Sequence, residues 1–532
     1  MRAVIYLAAR ELRGRWRDWA LLVLLVAAAG GAVLAAAAGA SRTQSAYPRF
    51  LTASKASDVL VAPYFSGPPG YFGALTRLAG VRELAPFVIL NVKPLGHGSW
   101  ATRGTSTVAP VDGRRRLEVP KVLAGRLPAA DRAAEIAVDQ RGAARMGLRV
   151  GSVLTMRAVP NDPPPGAAEP GQRPARPRLL RERVAGIVVT RGSVLPVNEL
   201  DKVPVILASP ALFHRLGVRY LGAAGAYVKL RPGASPEAFG HRAQSLTRRF
   251  PATGGGAFVA DEGAQATAVQ RAIRPEAVAL ALFALVLAVT ALLIVGQAAT
   301  RLLATSSPDT PALAALGLTR GQLMAAGLIK VGVAAAIGAV VAAGVAIAAS
   351  PLMPIGAARL AEPDPGVSAD ALVLAAGTAA IVVLLVAWAV WPAWRLTSIG
   401  TRRDSTSPAP GRWPRLTAWL AGAGVPVTAA AGVRLALEPG RGRTAVPVRA
   451  ALAGTALSVL AVTAALTFGA SLLHLVNTPP LYGKRWDAAI DVQFPAPAIT
   501  TAATERRLSH LPGITGWTFG HHGTVGIGGH VI

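Results

Sequence analysis

Between Glu276 and Ser350 the chain reads apolar run, polar break, apolar run, and no other stretch limits its possible folds as much. The first run, Ala277 to Thr300, has no charged residue. At about 1.5 Å of rise per helical residue it can cross a hydrocarbon layer of about 30 Å. The second run, about Gly321 to Ala349, carries one charge, Lys330. The break, residues 301 to 323, is therefore expected at a membrane face. Lys330 lies about two turns into its helix, and its stem is expected to snorkel back to that face.

The break has a readable local grammar. Ser307 suits a helix N-cap, Pro308 the first helical position and Asp309 the first turn, where a carboxylate favours the helix dipole. Leu313 and Leu316 are three apart and share a face. Gly317 is expected to stop the short helix. Thr319 and Gln322 form a T-x-x-Q capping box for the helix that follows. The expected product is a short surface helix between two spanning helices, open to a soluble partner.

Asp309-Thr-Pro-Ala-Leu-Ala-Ala-Leu-Gly-Leu-Thr-Arg-Gly-Gln-Leu323 resembles the E-x-x-x-L-(R/K)-A-L-G-(M/A)-(T/S)-(R/K)-x-Q-(L/I) signature of the FtsX-like, MacB-type permeases of ABC transporters. It departs from that signature in Asp309 for Glu, in Ala314 for a basic residue and in Pro311 in the first turn. The resemblance implies that Asp309, Leu313, Leu316, Gly317, Thr319, Arg320 and Gln322 form an ATPase-coupling segment. It also implies that ATP and Mg2+ sit on a partner ABC ATPase, two copies per complex, with no cofactor in this chain. Two permease halves are implied, either a second copy or a second half of the chain.

The rest of the chain extends this plan. Residues 1–18 hold Arg2, Arg10, Arg13, Arg15 and Arg17, and Trp16 and Trp19 sit where an interfacial belt would lie. Trp19 to Ala40 is uncharged. It reads as a retained span over 19–40, because signal-peptide cores run only about 7 to 15 residues. Ala38-Gly39-Ala40 keeps a cleavable signal peptide as the rival reading. Further spans are expected over 276–300, 321–349, 369–394 and 450–474, about five in all. The segment 301–320 couples, 351–368 is a short outer loop, and 395–449 is a basic cytoplasmic loop with nine arginines. That charge asymmetry places the N-terminus in the cytoplasm of a plasma membrane, with anionic lipid as a partner.

Residues 41–272 are aqueous in composition. Strand-like runs include 58–62, 87–92, 153–156, 184–190, 203–208 and 226–230, and helical stretches 70–78, 139–146 and 236–249. They predict an α+β extracytoplasmic domain inserted between spans one and two. Leu123 to Pro128, Glu135 to Asp139 and Met146 to Leu154 resemble the same family's outer domain. Residues 160–178, with seven prolines, read as an insertion. A weak repeat links the starts of the 19–40 and 450–474 spans, and 475–532 resembles the start of a second outer domain. The resemblance therefore implies a truncated chain.

The net charge of +28 invites a nucleic-acid reading, but the arginines are scattered and many flank apolar runs. No nucleic-acid partner is expected. There is no cysteine, hence no disulfide or thiolate site. No G-x-x-x-x-G-K-[ST], H-E-x-x-H or G-x-S-x-G occurs, so no enzyme activity is expected of this chain. The leading expectation is a permease subunit that passes ATP-driven motion to an outer domain for export or extraction of a substrate. The alternatives are a mechanotransmitter regulating cell-wall hydrolases or signalling, and a membrane-anchored binding protein that has no need of residues 306–323.

Overall fold

The computed structural model describes residues 2–63, 70–96, 105–111, 115–161, 176–196, 201, 203–253, 255–305, 310–399, 428, 448–482, 486, 506–518, 526–527 and 530–531. Asp309, most of the proline-rich insertion, most of the 395–449 loop and most of 475–532 lie outside these residues. Two compact units are present, 1–467 and 468–532.

In chain order the first unit opens with helix α1 (Arg2–Gly14) and helix α2 (Trp16–Ala53). There follow β1 (Val59–Pro63), α3 (Tyr71–Thr76), β2 (Val81–Leu90), β3 (Val92–Pro94), β4 (Ser106–Pro110), β5 (Lys121–Gly125), β6 (Glu135–Asp139), α4 (Gln140–Met146), β7 (Val153–Ala158), β8 (Arg178–Val189), α5 (Arg191–Val194), β9 (Val205–Ala208), α6 (Pro210–Leu216), β10 (Leu221–Leu230), α7 (Pro236–Thr247) and β11 (Ala257–Asp261). The chain then returns to long helices: α8 (Glu262–Thr305), the short α9 (Thr310–Ala315), α10 (Arg320–Ala349), the short α11 (Gly356–Ala361) and α12 (Ala371–Ile399). Helix α13 (Val448–Asn477) runs across the division between the units. In the second unit two short strands, β12 (Gly526–Ile527) and β13 (His530–Val531), pair antiparallel.

Helices α2, α8, α10 and α12 are each long and apolar enough to cross a membrane. Helix α13 carries a shorter apolar stretch, Val462–Leu475, among the described residues. Helix α10 packs on α2 and α12, and α2 also packs on α8. Trp19, Leu22, Val26, Val295, Leu303, Val331 and Leu385 form the shared core. Small residues let the backbones close up, as expected where packing rather than water drives association. A Cβ on Gly338 would stand 2.6 Å from Val26, and one on Gly31 2.8 Å from Val345.

Between α2 and α8 the chain builds one mixed sheet in the order β11-β1-β10-β2-β4-β9-β6-β8-β7-β3. Most neighbours are antiparallel, but β4 with β9 and β6 with β8 are parallel. Along one edge of β8, β7 pairs its first half and β5 its second. Strand β6 is buried at every residue because β9 and β8 flank it. Ile136, Val138, Leu154, Met156, Ile206 and Leu212 fill the core under α4 and α6. A second core, with Tyr71, Leu75 and Phe239, packs α3 and α7 on β1 and β10.

Several boundaries differ from the sequence reading, for physical reasons. The expected helix at 139–146 starts one residue later, because Asp139 is its N-cap and accepts from Gly142 N at 2.7 Å. Strand β8 begins at Arg178 rather than 184, since its charged first half alternates outward while Leu180 and Glu182 point in. Helix α2 does not stop where charge begins. It runs on past Arg42 to Ala53, and α8 begins at Glu262, well before its apolar stretch. These extensions form a stalk, in which Ala46, Tyr47 and Phe50 meet Val269, Ile273 and, from α11, Ala358 and Ala361.

Glu135, at the start of β6, anchors the turn before it. Arg126 grips it with two bonds of 2.6 and 2.8 Å, Arg132 adds one at 3.0 Å and Ala129 N one at 3.2 Å. The Arg126 hydrogen bonds, against a smaller burial effect, pull its pKa down to about 2. A carboxyl lowered on folding stabilises the fold above its unfolded pKa, and that stability is lost as pH falls through the folded value. Denaturation of the parent chain and of Glu135→Gln is therefore expected to differ fully at neutral pH. The difference should shrink between about pH 4.5 and pH 2. A difference that stays constant down to pH 2 would contradict this.

Candidate functional site

Helix α9 stands between the ends of two long apolar helices. Its C-terminus closes with paired bonds, Leu318 N to Leu313 O at 3.2 Å and Gly317 N to Ala314 O at 3.0 Å. That closure needs a left-handed residue, which Gly317 supplies at φ 96°. Two residues later Thr319 caps the start of α10. Thr319 Oγ1 accepts from Gln322 N at 3.4 Å, and Gln322 Oε1 accepts from Thr319 N at 3.0 Å. Gly317, Thr319 and Gln322 are thus backbone-shaping residues. Leu313 is half-buried, while Leu316 is 79% exposed and Arg320 is exposed. Asp309 lies outside the described residues.

Lys330, expected to snorkel toward a membrane face, has a counter-ion. It is buried, and its ammonium pairs with Glu11 of α1. Val4 and Ala8 of the same α1 face are buried too, and α1 packs on α10. Arg15 Nη1 donates to Thr305 O at 2.9 Å, tying the α1–α2 junction to the last residue of α8. The N-terminal helix is therefore fastened to both ends of the break. The sequence carried a faint signal of this: a lone cation in an apolar run and one of two acids in a basic segment, 319 residues apart.

Two buried arginines, one toward each end of the stalk, hold its helices to what surrounds them. Arg42 of α2, only 8% exposed, donates to the carbonyls of Ser350 (3.0 Å), Gly366 (3.1 Å) and Asp364 (2.6 Å). It also faces Glu362 at 3.4 Å, and Arg49 reaches the same carboxylate at 2.5 Å. Glu362, within the 351–368 segment, is buried against α2. Ser41 adds a bond to Asp370 at 2.9 Å.

Arg191, in the short α5, forms the second clamp. Its Nη1 contacts Ser57 O at 3.2 Å, Glu118 at 3.3 Å and the carboxylate of Glu262 at 3.1 Å, and its Nη2 donates to Glu262 O. Glu118 also accepts from Ser57 N and Ser57 Oγ, both at 2.8 Å. One guanidinium thus joins the residues just after α2, the first residue of α8 and the sheet. Neither clamp was visible in the sequence, because each arginine lies 71 to 324 residues from its partners.

No family model and no curated protein matches the chain. Among solved structures it is similar in part to the periplasmic region of MacB from Actinobacillus actinomycetemcomitans, at 11% identity over 42% of this chain and 97% of that one, with a TM-score of 0.23. It is similar to a domain of a permease protein from Porphyromonas gingivalis, at 15% identity over 38% of this chain and 88% of that one, TM-score 0.23. It is also similar to the extracellular domain of the noncanonic ABC-type transporter YknZ from Gram-positive bacteria, at 9% identity over 38% and 99%, TM-score 0.24. At these identities and scores the likenesses decide nothing about activity, and a functional reading has to rest on this chain's own residues.

Proposed function

We propose that this chain is a permease-like subunit of an ATP-driven membrane complex. A separate ATPase, in two copies, grips α9 and the residues after it. The observation that carries this reading is a capped short helix held between two long apolar helices, with the Leu316 side chain left uncovered. ATP, Mg2+ and the hydrolytic chemistry belong to the partner, and anionic lipid surrounds the apolar helices of a multi-pass plasma-membrane protein whose N-terminus is cytoplasmic. A partner that binds α9 better in one nucleotide state than the other biases the chain between two conformations by that difference in affinity. The stalk made by α2 and α8 then carries the displacement to the sheet domain, to which Arg191 clamps it, while Arg42 ties α2 to the segment after α10.

Capture of a co-expressed ATPase from the same genome is the test. The parent chain is expected to retain it, and Leu316→Asp, which puts a charge at the centre of the contact, is expected to lose it. Equal capture by both would overturn the reading. Leu316 is exposed, so the substitution leaves folding intact.

A further inference from the structure

At the β3 end of the sheet, on the face turned away from α4 and α6, the register of β3, β7 and β8 sets out a row of cations. Lys93 pairs with Arg157, and Arg157 with Leu179. Thr155 pairs with Arg181, and Val153 with Arg183. The residues between them, Pro94, Leu154, Met156, Leu180 and Glu182, are buried on the other side, so these seven share the open one. Lys93, Arg157, Arg181 and Arg183 are exposed, and so are Leu179 and Val153 at the two ends of the row. Successive cations stand about 5 to 8 Å apart by strand geometry. None of the four makes a hydrogen bond or an ion pair among the described residues. The nearest acids by register are taken. Glu182 points to the buried side and pairs with Arg215, and Glu135, beside Arg183 across the β6 pairing, is held by Arg126 and Arg132.

Like charges this close repel one another, and the row has no countercharge of its own. The chain that joins β7 to β8, residues 162–175, holds two acids and one arginine, too few for four cations. At the far end of β8, Val189 packs with Tyr47 and Phe50 of the stalk. Arg183 and Leu179 lie about 20 and 33 Å from there along the strand. That separation favours a soluble partner over the lipid around the apolar helices. An extended peptide presents every second side chain on one face at about 6.7 Å, the same step as from Arg181 to Arg183. Leu179 and Val153, apolar and uncovered at the ends of the row, suit a protein better than a purely charged polymer. We propose that this face docks an acidic protein segment, its carboxylates on Lys93, Arg157, Arg181 and Arg183 and its apolar side chains over Leu179 and Val153. Charge complementarity of this kind orients the partner and speeds its encounter. The docking needs no ATPase on α9.

Dye quenching on the purified full chain in zwitterionic nanodiscs, with no ATPase present, tests the proposal independently of the permease reading. The chain has no cysteine, so Val150→Cys, in the exposed turn before β7, carries a single dye beside the row. The probe is a quencher-tagged peptide, Leu-Ser-Glu-Ser-Glu-Ser-Glu-Ser-Leu. It is expected to quench saturably, and severalfold more weakly when salt rises from about 0.05 M to about 0.3 M. The same peptide with Gln for Glu, and quencher-tagged polyphosphate of the same charge, should bind at least about tenfold more weakly. Arg157→Gln with Arg183→Gln should cost the acidic peptide about tenfold or more. Arg248→Gln with Arg249→Gln, the same loss of charge just beyond α7, should leave binding as in the parent. Arg157→Glu with Arg183→Glu should instead take the peptide that carries Lys for Glu. A melt of each unliganded variant at the parent temperature shows that a loss of binding is not a loss of fold. Absence of saturable quenching, a Gln peptide or polyphosphate as tight as the acidic peptide, or parent-like binding after Arg157→Gln with Arg183→Gln would each overturn the proposal.

Discussion

Replacing Arg191 with methionine is expected to cost about 3–5 kcal/mol, the largest effect of any single substitution considered, because it leaves two carboxylates buried together without their cation. Glu118 and Glu262 both meet Arg191 Nη1, and both are largely enclosed. Methionine matches the stem but supplies no charge. Thermal melting of the solubilised chain reads the loss directly. Adding Glu262→Gln to Arg191→Met should recover part of it, since the second change removes one stranded charge. Arg181→Met, at an exposed position on β8, should stay within about 0.5 kcal/mol of the parent. A near-neutral Arg191→Met chain would mean that the clamp does not hold the stalk to the sheet.

The Glu11–Lys330 pair is expected to behave asymmetrically. The Lys330 side chain is 6% exposed and that of Glu11 is 26%. Glu11→Gln takes the carboxylate away from a cation buried among apolar helices and should be the costlier of the two single changes. Lys330→Met strands a carboxylate that water still reaches, and should cost less. The double change, Glu11→Leu with Lys330→Met, should return close to the parent, because a buried pair and an apolar replacement are often near balance. Melting curves of the three variants decide it. Equal costs for the two single changes would show that burial does not set the energetics here.

Local features were legible in the sequence and non-local ones were not. Thr319 and Gln322 announce their capping box because both partners lie within one helical turn, and Gly317 announces its left-handed stop for the same reason. The apolar windows of α2, α8, α10 and α12 are equally plain, since about twenty apolar residues have few other uses. The reach of α2 beyond Arg42 was hidden, because that arginine looks like the end of a span until its partners at Ser350, Glu362, Asp364 and Gly366 are known. The same blindness hid the counter-ion of Lys330. A lone cation has two physical escapes, water or a counter-ion, and sequence spacing does not choose between them. Phe87 and Tyr227 stack only because β2 pairs with β10 in register.

The two caps at 313–322 sit back to back. Gly317 N and Leu318 N bond back to the carbonyls that close α9, and the very next amide, Thr319 N, bonds forward to Gln322 at the start of α10, leaving almost no slack between them. A corner built this way behaves as a stiff elbow. A sideways push on Leu316 would turn α10 like a crank rather than be absorbed by a soft linker, and lengthening the corner by a few glycines would disconnect the crank while leaving both helices folded.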